Sequence, residues 1–196
     1  RVAVRHHNAS AGFVQQAVDS ARRAARDWRN ATTEQRCDLL LQAKKIFEAR
    51  QAELAGIVSA ETGKIRMESL AEIAEAGDLV QYYVNQSREH AGYRQELPRG
   101  PNETRTDVLV PYGVFGIIVP FNFPVALAVN MASAALLAGN TVVVKPSGKT
   151  PRSTTDAMIA LGAALPPGVM NVVQGDVATG AELARSNVDG IAFTGS

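Results

Sequence analysis

Apolar residues recur every three or four positions through the first half of the chain and in short unbroken runs through the second. The two patterns predict different layers. Phe13, Ala17, Val18, Ala21, Ala25 and Trp28 form one helical stripe with charged residues opposite. Thr32 followed by Gln35 reads as a capping box. It opens a second helix carrying Leu40, Leu41, Phe47, Leu54, Ile57 and Val58, with Gly63 as its stop. A third helix is predicted from about Arg66, through Leu70, Ile73, Leu79, Tyr82 and Tyr83, to a stop near Gly92. These stripes are most simply core contacts, so residues 1–96 are expected to form a helical layer without chemistry of its own.

The pattern then changes twice. Leu97-Pro98-Arg99-Gly100-Pro101 reads as a loop by its Pro and Gly content. Thr104, Thr106, Val108 and Val110 alternate with Arg105, Asp107 and Leu109, which predicts an edge strand ended by Pro111; residues 97–112 therefore read as a linker with one strand. From Gly113 onward, apolar strands (Gly113 to Pro120, Thr141 to Lys145, Val169 to Val173, Gly190 to Phe193) alternate with helices (Pro124 to Leu137, Pro151 to Ala164, Thr179 to Arg185). Strands apolar throughout are buried on both faces, so residues 113–196 are expected to form an α/β, Rossmann-like parallel sheet with flanking helices.

Composition narrows the function. Hydrophobic residues make up 46%, and 20 basic side chains stand against 19 acidic, with no long block of either sign. That excludes an electrostatic case for nucleic acid or a membrane surface. Arg22, Arg23 and Arg26, the densest basic cluster, read as a solvated helix face. Phe123 to Gly139 is too short for a membrane span and is interrupted by Pro124 and Asn130, so it reads as a buried helix. The lone Cys37 cannot form an internal disulfide, which fits a cytoplasmic protein. No signal peptide pattern is visible in Arg1 to Ser10, and no metal site is read. The chain starts without methionine and stops just after Ile191-Ala192-Phe193, so both ends are expected to be cuts in a longer polypeptide.

In an open parallel sheet, ligands bind beyond the carboxyl ends of the strands. Those ends read Pro120-Phe121-Asn122-Phe123-Pro124, Lys145-Pro146-Ser147-Gly148, Gln174-Gly175 and Thr194-Gly195-Ser196, all small, rigid or polar. No Gly-x-Gly-x-x-Gly follows the first strand, so the usual pyrophosphate turn is missing. Taken alone, Asn122 reads as a cap for the following helix. Lys145 is unexpected at the end of a buried strand unless it snorkels out of the sheet edge.

Together with Pro111-Tyr112-Gly113-Val114, the run Ala138 to Ser147, Pro167-Gly168-Val169 and Phe193-Thr194-Gly195-Ser196, these strand ends resemble the aldehyde dehydrogenase superfamily through the whole second half. Glu61-Thr62-Gly63-Lys64 is the best local match in the first. The resemblance implies the amino-terminal, incomplete part of an NAD(P)-dependent enzyme. Such an enzyme oxidises an aldehyde or semialdehyde to a carboxylic acid through a cysteine thiohemiacetal. It implies that the Asn122 amide donates to the thiohemiacetal oxyanion and that Lys145 reaches the adenosine ribose hydroxyls with Ser147 beside them. Val119, Pro120 and Phe121 would line the nicotinamide side, while Gly175 and Gly180 let backbone approach the adenine and pyrophosphate. Phe193, Gly195 and Ser196 would lie where the last phosphate contact begins. Many NAD-preferring relatives have glutamate at the position of Gly148; glycine followed by Lys149 predicts tolerance of the 2′-phosphate of NADP, so that NAD or NADP is the expected cofactor.

The resemblance places the nucleophilic cysteine and the deacylating glutamate after Ser196. Cys37 fits neither, and Glu61 and Glu68 read as helix-surface residues; the chain alone is expected not to turn over. Tyr82-Tyr83 with the Pro-Phe-Asn-Phe-Pro run is similar to the branch acting on pyrroline-5-carboxylate or other semialdehydes. The strand from Arg105 to Val110 resembles the family's oligomerisation arm, which implies a dimer or tetramer. A non-catalytic binding or structural member of the fold, and a cousin that reduces acyl phosphates or thioesters, are the competing readings.

Overall fold

The computed structural model describes residues 5–195. Four helices come first: α1 (Ala11–Asn30), α2 (Thr33–Ala49), α3 (Gln51–Thr62) and α4 (Arg66–Glu89). An antiparallel hairpin of β1 (Arg94–Gly100) and β2 (Glu103–Val108) follows. Then β3 (Val114–Ile118), α5 (Ala126–Leu137), β4 (Thr141–Lys145), α6 (Pro151–Gly162), β5 (Met170–Val172), α7 (Val177–Arg185) and β6 (Gly190–Phe193) alternate. The four later strands form one parallel sheet in the order β5-β4-β3-β6.

The sheet is buried on both faces, as its apolar strands require. Val142 and Val144 of β4 and Ile117 of β3 pack into a large core with α2, α4, α5 and α6. Val114 and Val143 point the other way, into a smaller core with Val14, Val18 and Ala21 of α1 and Leu183 of α7. Each buried Val, Leu or Ile side chain among them contributes about 1.5–3 kcal/mol on leaving water.

α5 sits between the sheet and the helical layer, and both of its ends are satisfied by side chains from that layer. Glu72 accepts from Val125 N and Ala126 N at its start. Trp28 Nε1 donates to Leu136 O at 3.1 Å, and buried Arg36 Nε donates to Leu137 O at 2.9 Å. A carboxylate at the amino end and a guanidinium at the carboxyl end both oppose the charge of the helix dipole. Among the described residues no helix is long and apolar enough to cross a membrane.

Several sequence expectations need correction. The second predicted helix is two: Arg50 (φ −103°, ψ 11°) leaves helical geometry and separates α2 from α3. The Leu97–Pro101 segment is not a loop as far as Gly100, because β1 runs through it. Its register with β2 shifts between Leu97 and Gly100, where Pro98 and Gly100 sit. Proline lacks the N–H that a continuous ladder needs, so the irregularity absorbs it. Phe13 is 63% exposed and Val14 takes the inward position in α1, while Tyr82 is 55% exposed beside a half-buried Tyr83. The capping box of Thr32 and Gln35 is present, and Gly63 ends α3 in the left-handed region (φ 78°).

Candidate functional site

The carboxyl ends of β3, β4 and β6 open onto one cleft of about 700 Å³. Ten of the residues singled out from the sequence line it: Val119, Pro120, Phe121, Asn122, Lys145, Ser147, Lys149, Gly180, Phe193 and Gly195. Ile118, Val177, Ala181 and Thr194 complete the wall, so the lining carries two lysines and no carboxylate.

Lys145 is the buried charge of this cleft, only 6% exposed. Its Nζ donates to Gly175 O (3.1 Å) and Asp176 O (3.3 Å). An ammonium has three N–H donors, so one is left without a protein acceptor among the described residues. Burial pushes its pKa below the ordinary lysine value, and the nearby Asp176 partly counters this. A half-satisfied buried cation at a strand tip suits hydroxyl or phosphate oxygens. The snorkelling alternative is not realised, since the head group is held inside.

The two glycines from the strand ends of β4 and β5 do not line the cleft. Gly175 acts indirectly: a Cβ there would lie 1.9 Å from Thr179 Oγ1, so only glycine lets this turn close against α7 and present its carbonyl to Lys145. Gly148 is exposed and unstrained; a Cβ would meet Gly175 O at an ordinary 3.6 Å, so a side chain fits. Gly180 lies closer to the lysine, where a Cβ would stand 3.4 Å from Lys145 Cδ. Ser196 lies outside the described residues.

Asn122 is exposed at the cleft mouth and does not cap α5, whose first residue has no side-chain cap of its own. Its neighbours are each covered by a lysine: Lys149 Nζ lies 4.3 Å from the Phe121 ring centroid and Lys64 Nζ 3.6 Å from that of Phe123. Such contacts are worth ~0.5–2 kcal/mol each and hold the two rings that flank the asparagine.

The helices around this cleft begin already neutralised. Glu72 occupies the start of α5. Glu61 accepts from Arg152 N (3.0 Å), Ser153 N (2.7 Å) and Ser153 Oγ at the start of α6. Asp176 accepts from Ala178 N (2.8 Å) and Thr179 N (3.5 Å) at the start of α7. None of these N-termini is open to a phosphate in the usual manner. Anion attraction falls to Lys145 and Lys149, which gives the missing Gly-x-Gly-x-x-Gly a physical counterpart. Glu61 was expected on a helix surface and is a cap instead. Glu72 was not singled out at all, although an acid sharing the α4 face of Ser69, Ile73, Ala76 and Val80 is a signal that a charge is buried.

Comparison with known proteins decides the family. A model described as the aldehyde dehydrogenase family matches residues 1–196. The chain belongs to that family. N-succinylglutamate 5-semialdehyde dehydrogenase of Klebsiella pneumoniae is 39% identical over 96% of this chain and 38% of its own length. Alpha-ketoglutarate semialdehyde dehydrogenase of Haloferax volcanii is 36% identical, over 92% of this chain and 38% of its own. The chain thus spans about two fifths of the curated relatives it matches. Among solved structures, a variant of proline utilization A from Bradyrhizobium japonicum aligns with a TM-score of 0.93 at 34% identity, covering 97% of this chain and 20% of that one. Glyceraldehyde-3-phosphate dehydrogenase GapN of Methanocaldococcus jannaschii, complexed with NADP, aligns with 0.93 at 26%, covering all of this chain (100%) and 44% of that one. The aldehyde dehydrogenase fold accounts for the whole described chain, its helical layer included.

Cys37 is the one thiol in the sequence, and it is fully buried in α2. Burial raises its pKa, the opposite of what a nucleophile requires. Among the described residues no cluster of His, Cys, Asp or Glu could hold a metal.

Proposed function

We propose that this chain is the dinucleotide-binding part of an NAD(P)-dependent aldehyde dehydrogenase that oxidises an aldehyde or semialdehyde to a carboxylic acid. The observation carrying this reading is the single cleft that gathers Asn122, Lys145, Ser147 and Lys149 with apolar Val119, Pro120 and Phe193 and no acidic residue. Lys145 and Ser147 hold the ribose hydroxyls of the cofactor, and Val119 and Pro120 give the nicotinamide side a dry wall. Lys149, beside a glycine at 148, receives the 2′-phosphate of NADP. When bound, the dinucleotide supplies the hydride acceptor.

Asn122 aims its amide at the oxygen of the substrate carbonyl, where negative charge develops as a thiol adds. The thiol itself comes from outside these 196 residues, because Cys37, the one cysteine, is sealed in the core. The names of the semialdehyde dehydrogenase relatives support a substrate of that class. The hairpin of β1 and β2 supports self-association: every residue of β2 is exposed, and Leu109 and Val110 beyond it are 69% and 65% exposed. Apolar side chains so displayed are commonly covered by a partner.

The test is titration of the full-length enzyme with NADPH and with NADH, followed by nicotinamide fluorescence. Tighter binding of NADPH is expected; failure of both nucleotides to bind ends the reading, and clearly tighter NADH ends the part concerning Lys149.

A further inference from the structure

Glu72 lies in the second turn of α4, yet its side chain has 0% exposure. Its Oε1 accepts from Val125 N at 2.9 Å and Ala126 N at 3.3 Å, and its Oε2 pairs with Lys64 Nζ at 2.6 Å. The same ammonium covers the Phe123 ring. Between these anchors, Thr154 Oγ1 donates to Pro124 O at 2.8 Å from α6. Residues 123–126 are therefore held in turn by α4, by the turn before it and by α6. The residue immediately ahead of this held segment is Asn122.

Helix capping alone does not explain such an arrangement. A serine, threonine or aspartate at the N-cap would satisfy the same N–H groups locally. Here the carboxylate comes from 53 residues away in the chain and brings its own cation into a buried setting. A buried ion pair is a weak source of stability, because an apolar pair of similar volume often does as well. What it does provide is fixed geometry, and an oxyanion donor needs fixed geometry above all. A donor displaced by about 1 Å can lose ~100-fold in rate.

We infer that Glu72 and Lys64 are positioning residues for the Asn122 amide. The carboxylate fixes where α5 begins, the ammonium fixes the ring of residue 123, and together they set the direction in which residue 122 enters the cleft. This inference rests on the reading of Asn122 as the oxyanion donor.

A double-mutant cycle in the full-length enzyme tests it. Glu72→Gln keeps an acceptor for α5 but breaks the ion pair, and Lys64→Met keeps the aliphatic stem over Phe123 while removing the charge. Each is expected to lower kcat by ~10–100-fold with KM for the aldehyde little changed. Stoichiometric NAD(P)H titration reports the folded fraction, so a loss of folded enzyme is separated from a loss of rate. In an Asn122→Ala background, neither substitution should reduce kcat further, because the group being positioned is gone. A merely structural role would lower kcat by the same factor in both backgrounds, and that result overturns the inference alone. An Asn122→Ala enzyme with undiminished kcat overturns the oxyanion reading and this inference with it.

Discussion

Replacing Lys145 with methionine separates folding from binding. Lys145 is 6% exposed, and its ammonium has no carboxylate partner within salt-bridge distance among the described residues and donates to two carbonyls at 3.1 and 3.3 Å. Those bonds are worth ~1.5–3 kcal/mol each against an unmade alternative, but the buried charge has surrendered hydration of comparable size. Methionine nearly matches the stem, so Lys145→Met should change stability by no more than about 1.5 kcal/mol in either direction. A lost charge-assisted contact to the ribose costs ~1.5–3 kcal/mol of binding, roughly a 10–150-fold weaker Kd.

The pH dependence carries a second signature. Because burial lowers the Lys145 pKa, the unfolded chain holds this proton more tightly than the folded one. The charged form therefore costs stability at neutral pH, and that cost fades as pH rises through the interval between the folded and unfolded values. Stability of the parent enzyme should thus rise relative to Lys145→Met over that interval, while its nucleotide affinity falls toward that of the variant. Differential scanning fluorimetry and NADPH titration across alkaline pH read both curves. An unchanged NADPH affinity in Lys145→Met, or affinity curves that stay parallel, would refute the role assigned to this lysine.

Two further outcomes follow from the same geometry. Gly148→Glu meets no steric obstacle and should fold normally; its carboxylate should weaken NADPH relative to NADH by ~10–100-fold, as like charges ~4–5 Å apart in a solvated cleft would require, read from the ratio of the two Kd values. Cys37→Ala should leave turnover of the full-length enzyme unchanged while costing about 1 kcal/mol of stability for the lost sulfur packing; in the parent, thiol reagents should modify Cys37 only as the protein unfolds.

The parallel sheet was legible because its strands are apolar throughout and its helices carry clear stops, such as the glycine-asparagine pair after α5. The cleft was legible because a parallel sheet sends its functional loops to one edge; ten predicted residues meet there. What the chain hid is tertiary. Nothing local marks Arg50 as a helix break, since no glycine or proline stands there. The hairpin was obscured because Pro98 and Gly100 look like loop residues unless a register shift accommodates them. The roles of Glu61 and Glu72 depend on backbone N–H groups 92 and 53 residues later in the chain, at the starts of α6 and α5. Only the misplaced charge on an inward stripe could have given Glu72 away.

The lysine that leans on Phe121 is also the neighbour of Gly148. On the roles proposed above, selection of the cofactor and orientation of the oxyanion donor share one flexible side chain. A mutation at 149 made to change nucleotide preference would also release the ring beside Asn122. Engineers of this scaffold should expect the two traits to move together, and should vary 148, which touches only one of them, first.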